Sequence, residues 1–387
     1  MRNDSTTDCD YLLAGGGLQN CLIALLLLHR QPECRVTLVE QESALCGNHT
    51  WSFHLADIPP EARAALEPVL DFTWDHYTVK FPGMQRRVDC PYGSILSERL
   101  AAAVRARIEA APNARLVLNT PIAAVDADRI VLGNGRVLYG RTVIDARGLP
   151  PHQPVKSTGY QKFVGLELRL AAPFPLRGPV LMDAEVPQED GFRFFYVLPF
   201  ESDCVLVEDT RFSDSPDLDI ARLRAEVLRY AGGLGLDVHE ILREESGVLP
   251  MPWSARRVWP AAPPLLAGYR GGFLHPATGY SFPLAVRLAL HIADRAPEPP
   301  FDAGWAGFMR RHRAQYRFAT WLNLLLFRAY PPARRYHIFQ RFYTLPEDVI
   351  ERFYRLEMTR WDQARFFLGR PPRGLSLRRL LEGAPES

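Results

Sequence analysis

The sequence predicts an α/β protein in three parts: an N-terminal Rossmann-type dinucleotide-binding domain, an inserted mixed β-sheet domain and a C-terminal helical region. Three observations predict it. The chain opens on a strand, a run of glycines, an apolar helix and a second strand ending in an acid, all within residues 10–40. The stretch 160–208 holds several strand-like segments separated by turn residues. From Trp305 onward the pattern is helical, aromatic and basic, punctuated by Pro331-Pro332 and Pro371-Pro372. A length of 387 residues fits two or three domains, because one domain takes about 100–200 residues.

The elements follow in order. Residues 10–14 (DYLLA) read as a short buried strand, 18–29 as an apolar helix and 35–40 (RVTLVE) as the next strand. A helix is expected at about 98–110, with strands at 115–118 and 136–145. Gly133-Asn134-Gly135 carries the Asn-Gly hairpin signal. Residues 162–170, 180–184, 193–198 and 204–210 read as strands, the last two as a hairpin across 199–203. Residues 218–242 read as mostly helical and the Pro-rich stretch 250–264 as a loop. A Gly/Pro turn then leads into a helix from about Tyr280 to Ile292.

Composition excludes several classes. Hydrophobic residues make up 47 %, too many for wholesale disorder. The longest apolar run, 21–28, falls far short of the about 20 residues a spanning helix needs. The polar start, Met1-Arg2-Asn3-Asp4, lacks an apolar signal core. The six cysteines are dispersed with no CxxC pair, so neither a disulfide framework nor a metal site is expected. These features point to a cytoplasmic protein. The net charge of +2 is a cancellation: residues 305–387 carry +9 and the rest −7. A basic end should meet something anionic, and its 16 aromatic residues between Trp305 and Leu368 suggest a face lying on lipid. The bland alternative is a helical cap with an aromatic core. Nucleic acid is not expected, since no recognition motif accompanies the charge.

Gly15-Gly16-Gly17-Leu18-Gln19-Asn20 fits the G-x-G-x-x-G template except at its last position. The first glycine permits the tight turn, and the second lets a pyrophosphate approach the helix N-terminus, where free N–H groups and the dipole favour anions. Glu40 ends the second strand, where a carboxylate can accept from ribose hydroxyls. Later glycine sites, Asp145-Ala146-Arg147-Gly148 and His275-Pro276-Ala277-Thr278-Gly279-Tyr280, favour FAD over NAD. The second of these runs into a helix whose N-terminus could hold negative charge on a reduced flavin. Read alone, each late site could equally be a packing turn.

Further along, Gly47-Asn48-His49-Thr50-Trp51-Ser52-Phe53-His54, Leu206-Val207-Glu208-Asp209-Thr210, the His275 to Tyr280 segment and Gln340-Arg341-Phe342-Tyr343-Thr344-Leu345-Pro346-Glu347 resemble the bacterial lycopene β-cyclases of carotenoid biosynthesis. The resemblance runs from about Tyr11 to Leu368, and the family's glycine motif also ends in Asn. It implies a flavoprotein fold of the glutathione-reductase and aromatic-hydroxylase type. FAD would occupy 8–75, 93–158 and 262–300, a β-sheet substrate domain 76–92 and 159–261, and a membrane-facing region 301–387. It implies FAD kept reduced by NADPH or NADH, and redox-neutral closure of the ψ-ends of lycopene to β-ionone rings, giving γ-carotene and then β-carotene. The protein would be peripheral on the cytoplasmic face of the inner membrane. Glu208 matches the family's essential acid and Asp209 its second acidic position. A flavin monooxygenase acting on an apolar substrate, or a prenyl-binding escort on the same fold, are the rival readings.

The chemistry needs a proton donor, a surface that stabilises a carbocation and exclusion of water. In strand alternation Cys204, Leu206, Glu208 and Thr210 share a face, so Glu208 stands among apolar neighbours that should favour its protonated form. The aromatics Phe192, Phe194, Phe195 and Tyr196 are candidates for cation–π stabilisation. Trp51, Phe194, Tyr196 and Leu206 are expected in the substrate pocket. Gly15, Gly16, Gly17, Leu18, Asn20, Glu40, Gly47, Asn48, His49, Thr50, Arg99, Asp145, Gly148, Gly279 and Tyr280 are expected around the cofactor. Asp183 and Glu167 are secondary acid candidates.

Overall fold

The computed structural model describes residues 8–148, 157–174, 178–254, 259–368, 371–376 and 378–379. Strand Cys9–Ala14, almost wholly buried, is central to the first sheet. It pairs in parallel with Val36–Val39 on one side and Val137–Asp145 on the other. Ala114–Val117 extends the parallel order, and Leu265–Leu266 joins the end of Val137–Asp145. Parallel neighbours require crossovers, and helix Leu18–Arg30 supplies the first. Its residues from Gln19 to Leu28 are all buried, because Ser97–Glu109 and Phe282–Ala293 pack against it. The Asn-Gly signal gives an antiparallel hairpin of Arg129–Leu132 with Val137–Asp145, Gly135 taking φ +83°.

The second sheet has the order Val238–Pro252, Thr158–Leu170, Cys204–Ser213, Phe192–Glu201, Val180–Asp183, Tyr77–Phe81 and Met84–Val88. Alternation gives its faces different partners. Val205 and Val207 pack with Val164, Leu166 and Leu168 under helix Ile220–Gly233. Leu206, Glu208 and Thr210 point the other way. A small sheet of Thr50–His54, Tyr92–Leu96 and Phe72–Trp74 completes the scaffold.

Residues 218–242 are helical in their first part only. The helix Ile220–Gly233 stops at Gly232-Gly233 and a left-handed Gly235 (φ +81°), and the chain returns as the 15-residue strand Val238–Pro252. This strand is an edge with one neighbour, Thr158–Leu170. Its charged residues (Glu240, Arg243, Glu244, Glu245) hide the apolar alternation that marks a strand, and an edge tolerates Pro250 and Pro252. The expected loop at 250–264 therefore begins after Pro252, and residues 255–258 of it lie outside the described residues. The strands within 50–54, 72–96, 122–125 and 129–132 also escaped the sequence reading.

The C-terminal part is the 22-residue helix Ala303–Leu324, capped by the Asp302 side chain on the Trp305 N–H, followed by Tyr336–Phe342, Glu347–Tyr354 and Arg360–Arg365. Its positive charge is only partly at the surface. Arg335 is fully buried, donating to the Phe212 and Leu326 carbonyls and to Asp214. Arg352 pairs with Asp348 and Asp362. Among the described residues no helix is long and apolar enough to cross a membrane.

Candidate active site

A cavity of about 820 Å³ is lined by both large sheets, the small sheet and the C-terminal helices. One wall is the glycine loop. Gly15 lies at φ +93°, and a Cβ there would meet the backbone of Ala146 and Arg147 at 3.0–3.1 Å. A Cβ on Gly16 would strike Leu45 at 2.4 Å. Gly17, by contrast, faces open space and caps helix Leu18–Arg30 without any side-chain hydrogen bond. The first N–H groups of that helix are therefore available to an anion. Asn20 closes the motif from below: its Nδ2 donates to the Ala14 and Gly15 carbonyls at 2.9 and 2.8 Å. That bond pair takes over the close strand–helix contact a third glycine would provide. Glu40 does not stand free at the strand end; it accepts from the N–H groups of Gly16 and Glu42.

A second wall is the Thr278 to Phe282 turn. Gly279 sits at φ +71°, with Leu249 and Gln161 within 3.0 Å of the place a Cβ would take. Helix Phe282–Ala293 starts there with no side-chain cap, and Pro283 in its first turn removes one of the orphan N–H groups at no cost. Tyr280 donates to Asp57 Oδ2 at 2.6 Å, and the His54 N–H reaches the same carboxylate at 3.1 Å. Burial pushes the Asp57 carboxyl up to about 7, although Tyr280 and Arg355 pull the other way.

The third wall is the acid. Glu208 and Leu206 line the cavity from Cys204–Ser213, with Tyr196 and Leu198 from the neighbouring strand. Tyr196 stands in register with Glu208. Burial first, and then the charge of Glu245, raise the Glu208 carboxyl far above the carboxylate range; the Thr210 hydroxyl, its hydrogen-bond donor, opposes this. Aromatic rings of Tyr92, Phe212, Tyr343 and Tyr354 surround the same space. Tyr343 and Tyr354 join their hydroxyls at 2.8 Å, so their polar ends need no water. Among the residues read as site candidates, Gly15 to Leu18, Glu40, Gly47, His49, Thr50, Trp51, Gly148, Tyr196, Leu206, Glu208, Gly279 and Tyr280 all line this one cavity.

Other candidates lie elsewhere. Asp209 is fully buried on the opposite face, bonded to Arg193 (2.7 Å) and Arg211 (2.9 Å), because alternation sends consecutive side chains to opposite sides. Arg99 projects into solvent from its helix and is 3.5 Å from Asp71. Asp145 holds Arg147 and Arg270 beneath the loop. Asn48 is exposed and bonds the Glu244 carbonyl and Arg243. Phe192 and Phe194 stack on each other in the core, and Phe195 stacks on Tyr230 at 3.9 Å on the far side. Asp183 pairs with Lys80 and Tyr230, and Glu167 with Arg243. The sequence reading missed Glu245, Phe212, Tyr92 and Tyr354. A polar edge strand and scattered aromatics carry no local signal that they share a cavity.

The family described as lycopene cyclase protein matches residues 10–380. The chain belongs to that family. A lycopene beta-cyclase of Pseudescherichia vulneris is 40 % identical over 368 residues, 94 % of each chain. A lycopene beta-cyclase of Paracoccus sp. (strain N81106 / MBIC 01143) is 40 % identical over 371 residues, again 94 % of each. The crystal structure of pqsL, a probable FAD-dependent monooxygenase from Pseudomonas aeruginosa, has a TM-score of 0.55 at 19 % identity, covering 93 % of this chain and 99 % of that one. That likeness is one of fold. In this lycopene cyclase family member the fold brings a glycine loop, a helix N-terminus and the desolvated carboxyls of Glu208 and Glu245 to a common aromatic-walled space.

Proposed function

We propose that this chain closes the ψ-ends of lycopene into β-ionone rings, giving γ-carotene and then β-carotene. The observation that carries this is Glu208, a carboxyl raised toward its protonated form in a cavity walled by aromatic rings. Its O–H donates a proton to the terminal double bond. The tertiary cation so formed is attacked by the next double bond in reach, which closes the six-membered ring. Loss of a ring proton, with the Glu208 carboxylate as acceptor, then restores an alkene. One proton enters and one leaves, so no net oxidation occurs. The π faces of Tyr196, Tyr343, Tyr354 and Phe212 stabilise the intermediate charge, and the apolar wall keeps away water that would trap it as an alcohol.

The residues fit FAD. The open space over Gly17 and its uncapped helix suit the pyrophosphate, and Glu40 keeps lone pairs for ribose hydroxyls. His49, Thr50, Gly279 and Tyr280 would hold the ring system at the start of helix Phe282–Ala293. When reduced by NADPH or NADH, FAD supplies negative charge that favours cation formation. The parts 8–75, 93–158 and 262–300 would then serve the flavin, and 76–92 with 159–261 the polyene.

Access to a hydrocarbon substrate favours a peripheral membrane position on the cytoplasmic face. Trp321, Phe367 and Leu368 are exposed (42, 48 and 58 %), with Trp321 and Phe367 rings 4.9 Å apart. Trp361, 70 % exposed, opens the short helix that leads to them, and Arg317 and Arg360 are exposed beside these aromatics in sequence. The test is expression in cells that accumulate lycopene, followed by chromatography. β-Carotene is expected from the parent chain. Glu208→Gln should keep its flavin absorbance and lose cyclisation by at least about 100-fold, since the amide cannot replace the general acid. Lycopene persisting beside folded, flavin-loaded parent protein, or stoichiometric NAD(P)H oxidation with substrate, would sink the proposal.

A further inference from the structure

We propose that Glu245 is a positioning residue for the acid: standing across Gly165 from Glu208 and fixed as an anion by Arg243 and Thr50, it keeps the exchangeable proton on Glu208. This rests on the reading of Glu208 as the proton donor. Strand Thr158–Leu170 runs between Cys204–Ser213 and Val238–Pro252, and Gly165 is the register partner of both Glu208 and Glu245. All three positions therefore face the cavity, and both acids line it. Strands one apart in a sheet lie about 10 Å from each other. The gap is bridged because Gly165 has no side chain. A Cβ there would meet Glu245 Cγ at 3.2 Å and Glu208 Oε2 at 3.3 Å, so both carboxyl arms lean over the vacant position.

Two carboxyls in such a site do not both ionise at neutral pH, and their partners decide which one keeps the proton. Burial raises the Glu245 carboxyl too, but Glu245 accepts from Arg243 Nη1 at 3.0 Å and from the Thr50 hydroxyl at 3.2 Å, and both oppose that rise. Arg243 is itself held by Glu167 and by Asn48. Glu208 has the neutral Thr210 hydroxyl and, among the described residues, no ion-pair partner. The remaining titratable groups around it do not alter the assignment: Tyr196 and Tyr92 are neutral phenols held above their ordinary values by burial, and Asp209 lies on the other face, compensated by Arg193 and Arg211. The charge on Glu245 is, after burial, the largest influence raising the Glu208 carboxyl.

The test is the pH profile of cyclisation by the flavin-loaded protein. Activity requires protonated Glu208, so it falls on an alkaline limb. Glu245→Gln removes the neighbouring anion and should move that limb down by on the order of one pH unit, about a tenfold loss relative to the parent where both limbs are falling. Glu245→Asp should restore the limb. Gly165→Ala removes no charge but drives the carboxyls apart, and should move it the same way. The position of the limb is the readout, whatever the plateau. Difference infrared titration of the protonated carboxyl band, assigned by its absence in Glu208→Gln, reads the same shift without turnover. A uniform loss with an unmoved limb and band, or an upward shift, overturns the proposal. If Glu208→Gln cyclises normally while the infrared band still shifts with Glu245→Gln, the pair stands and the donor reading falls.

Discussion

Glu208 and Asp209 are neighbours in sequence and opposites in environment. Glu208 faces an aromatic-walled cavity and, among the described residues, has no ion-pair partner; Asp209 is locked between Arg193 and Arg211, and Arg193 also reaches Glu226. The second acidic position is thus built to hold the sheet under its helix. Asp209→Asn leaves two buried guanidinium groups short of charge and should destabilise by about 3–5 kcal/mol. Thermal unfolding checks this; an unchanged midpoint with lost cyclisation would return Asp209 to the chemistry. Asp57 makes a different prediction. Its folded value of about 7 lies above the ordinary 3.8, so the native state binds this proton more tightly. The associated stability is full below about pH 4 and is lost as pH rises through about 7. Asp57→Asn should flatten the decline of the melting temperature over that window, and a parallel decline in both proteins would refute it.

At the scale of elements, the glycine loop was legible because everything it needs is contiguous: strand, tight turn, helix and acid follow one another within 40 residues. Even its irregularity resolves locally, since Asn20 ties the Ala14 and Gly15 carbonyls directly. Asn20→Ala should loosen the turn by about 1–3 kcal/mol and weaken flavin retention during dialysis, with the helix itself preserved. Undiminished retention would leave Asn20 without this role. The strand Val238–Pro252 was illegible for the converse reason. Its polar residues look like a surface helix until Thr158–Leu170 is beside it, and only that pairing sets Glu245 level with Gly165. The Phe192 to Tyr196 segment shows both limits at once. Its strand was readable, but only Tyr196 reaches the cavity. The flanking phenylalanines pack on one another or beneath the sheet.

For the whole molecule, the charge asymmetry needs a finer statement. The basic end contains Arg335, sealed inside and paired with Asp214 from outside the segment, so the net +9 overstates its outer face. What remains outward is a small group of exposed aromatics with arginines near them in sequence. Trp321→Ala with Trp361→Ala should lower binding to anionic vesicles several-fold in a sedimentation assay while leaving cyclisation of detergent-dispersed substrate intact. Equal binding by the double variant would place the lipid contact elsewhere.

The same C-terminal helices also face inward, where Tyr343 and Tyr354 close the cavity over the acid. By itself the sequence determined the dinucleotide loop, the hairpin that carries Glu208 and the face on which Glu208 stands, because each follows from neighbours a few residues apart. It could not determine what Glu208 looks at. The carboxylate across Gly165, the phenol rings from four distant segments and the sealing of Asp209 depend on long-range packing. Burial and the charges buried beside it set the protonation of a carboxyl, and both exist only once the sheets and the helical cap have come together.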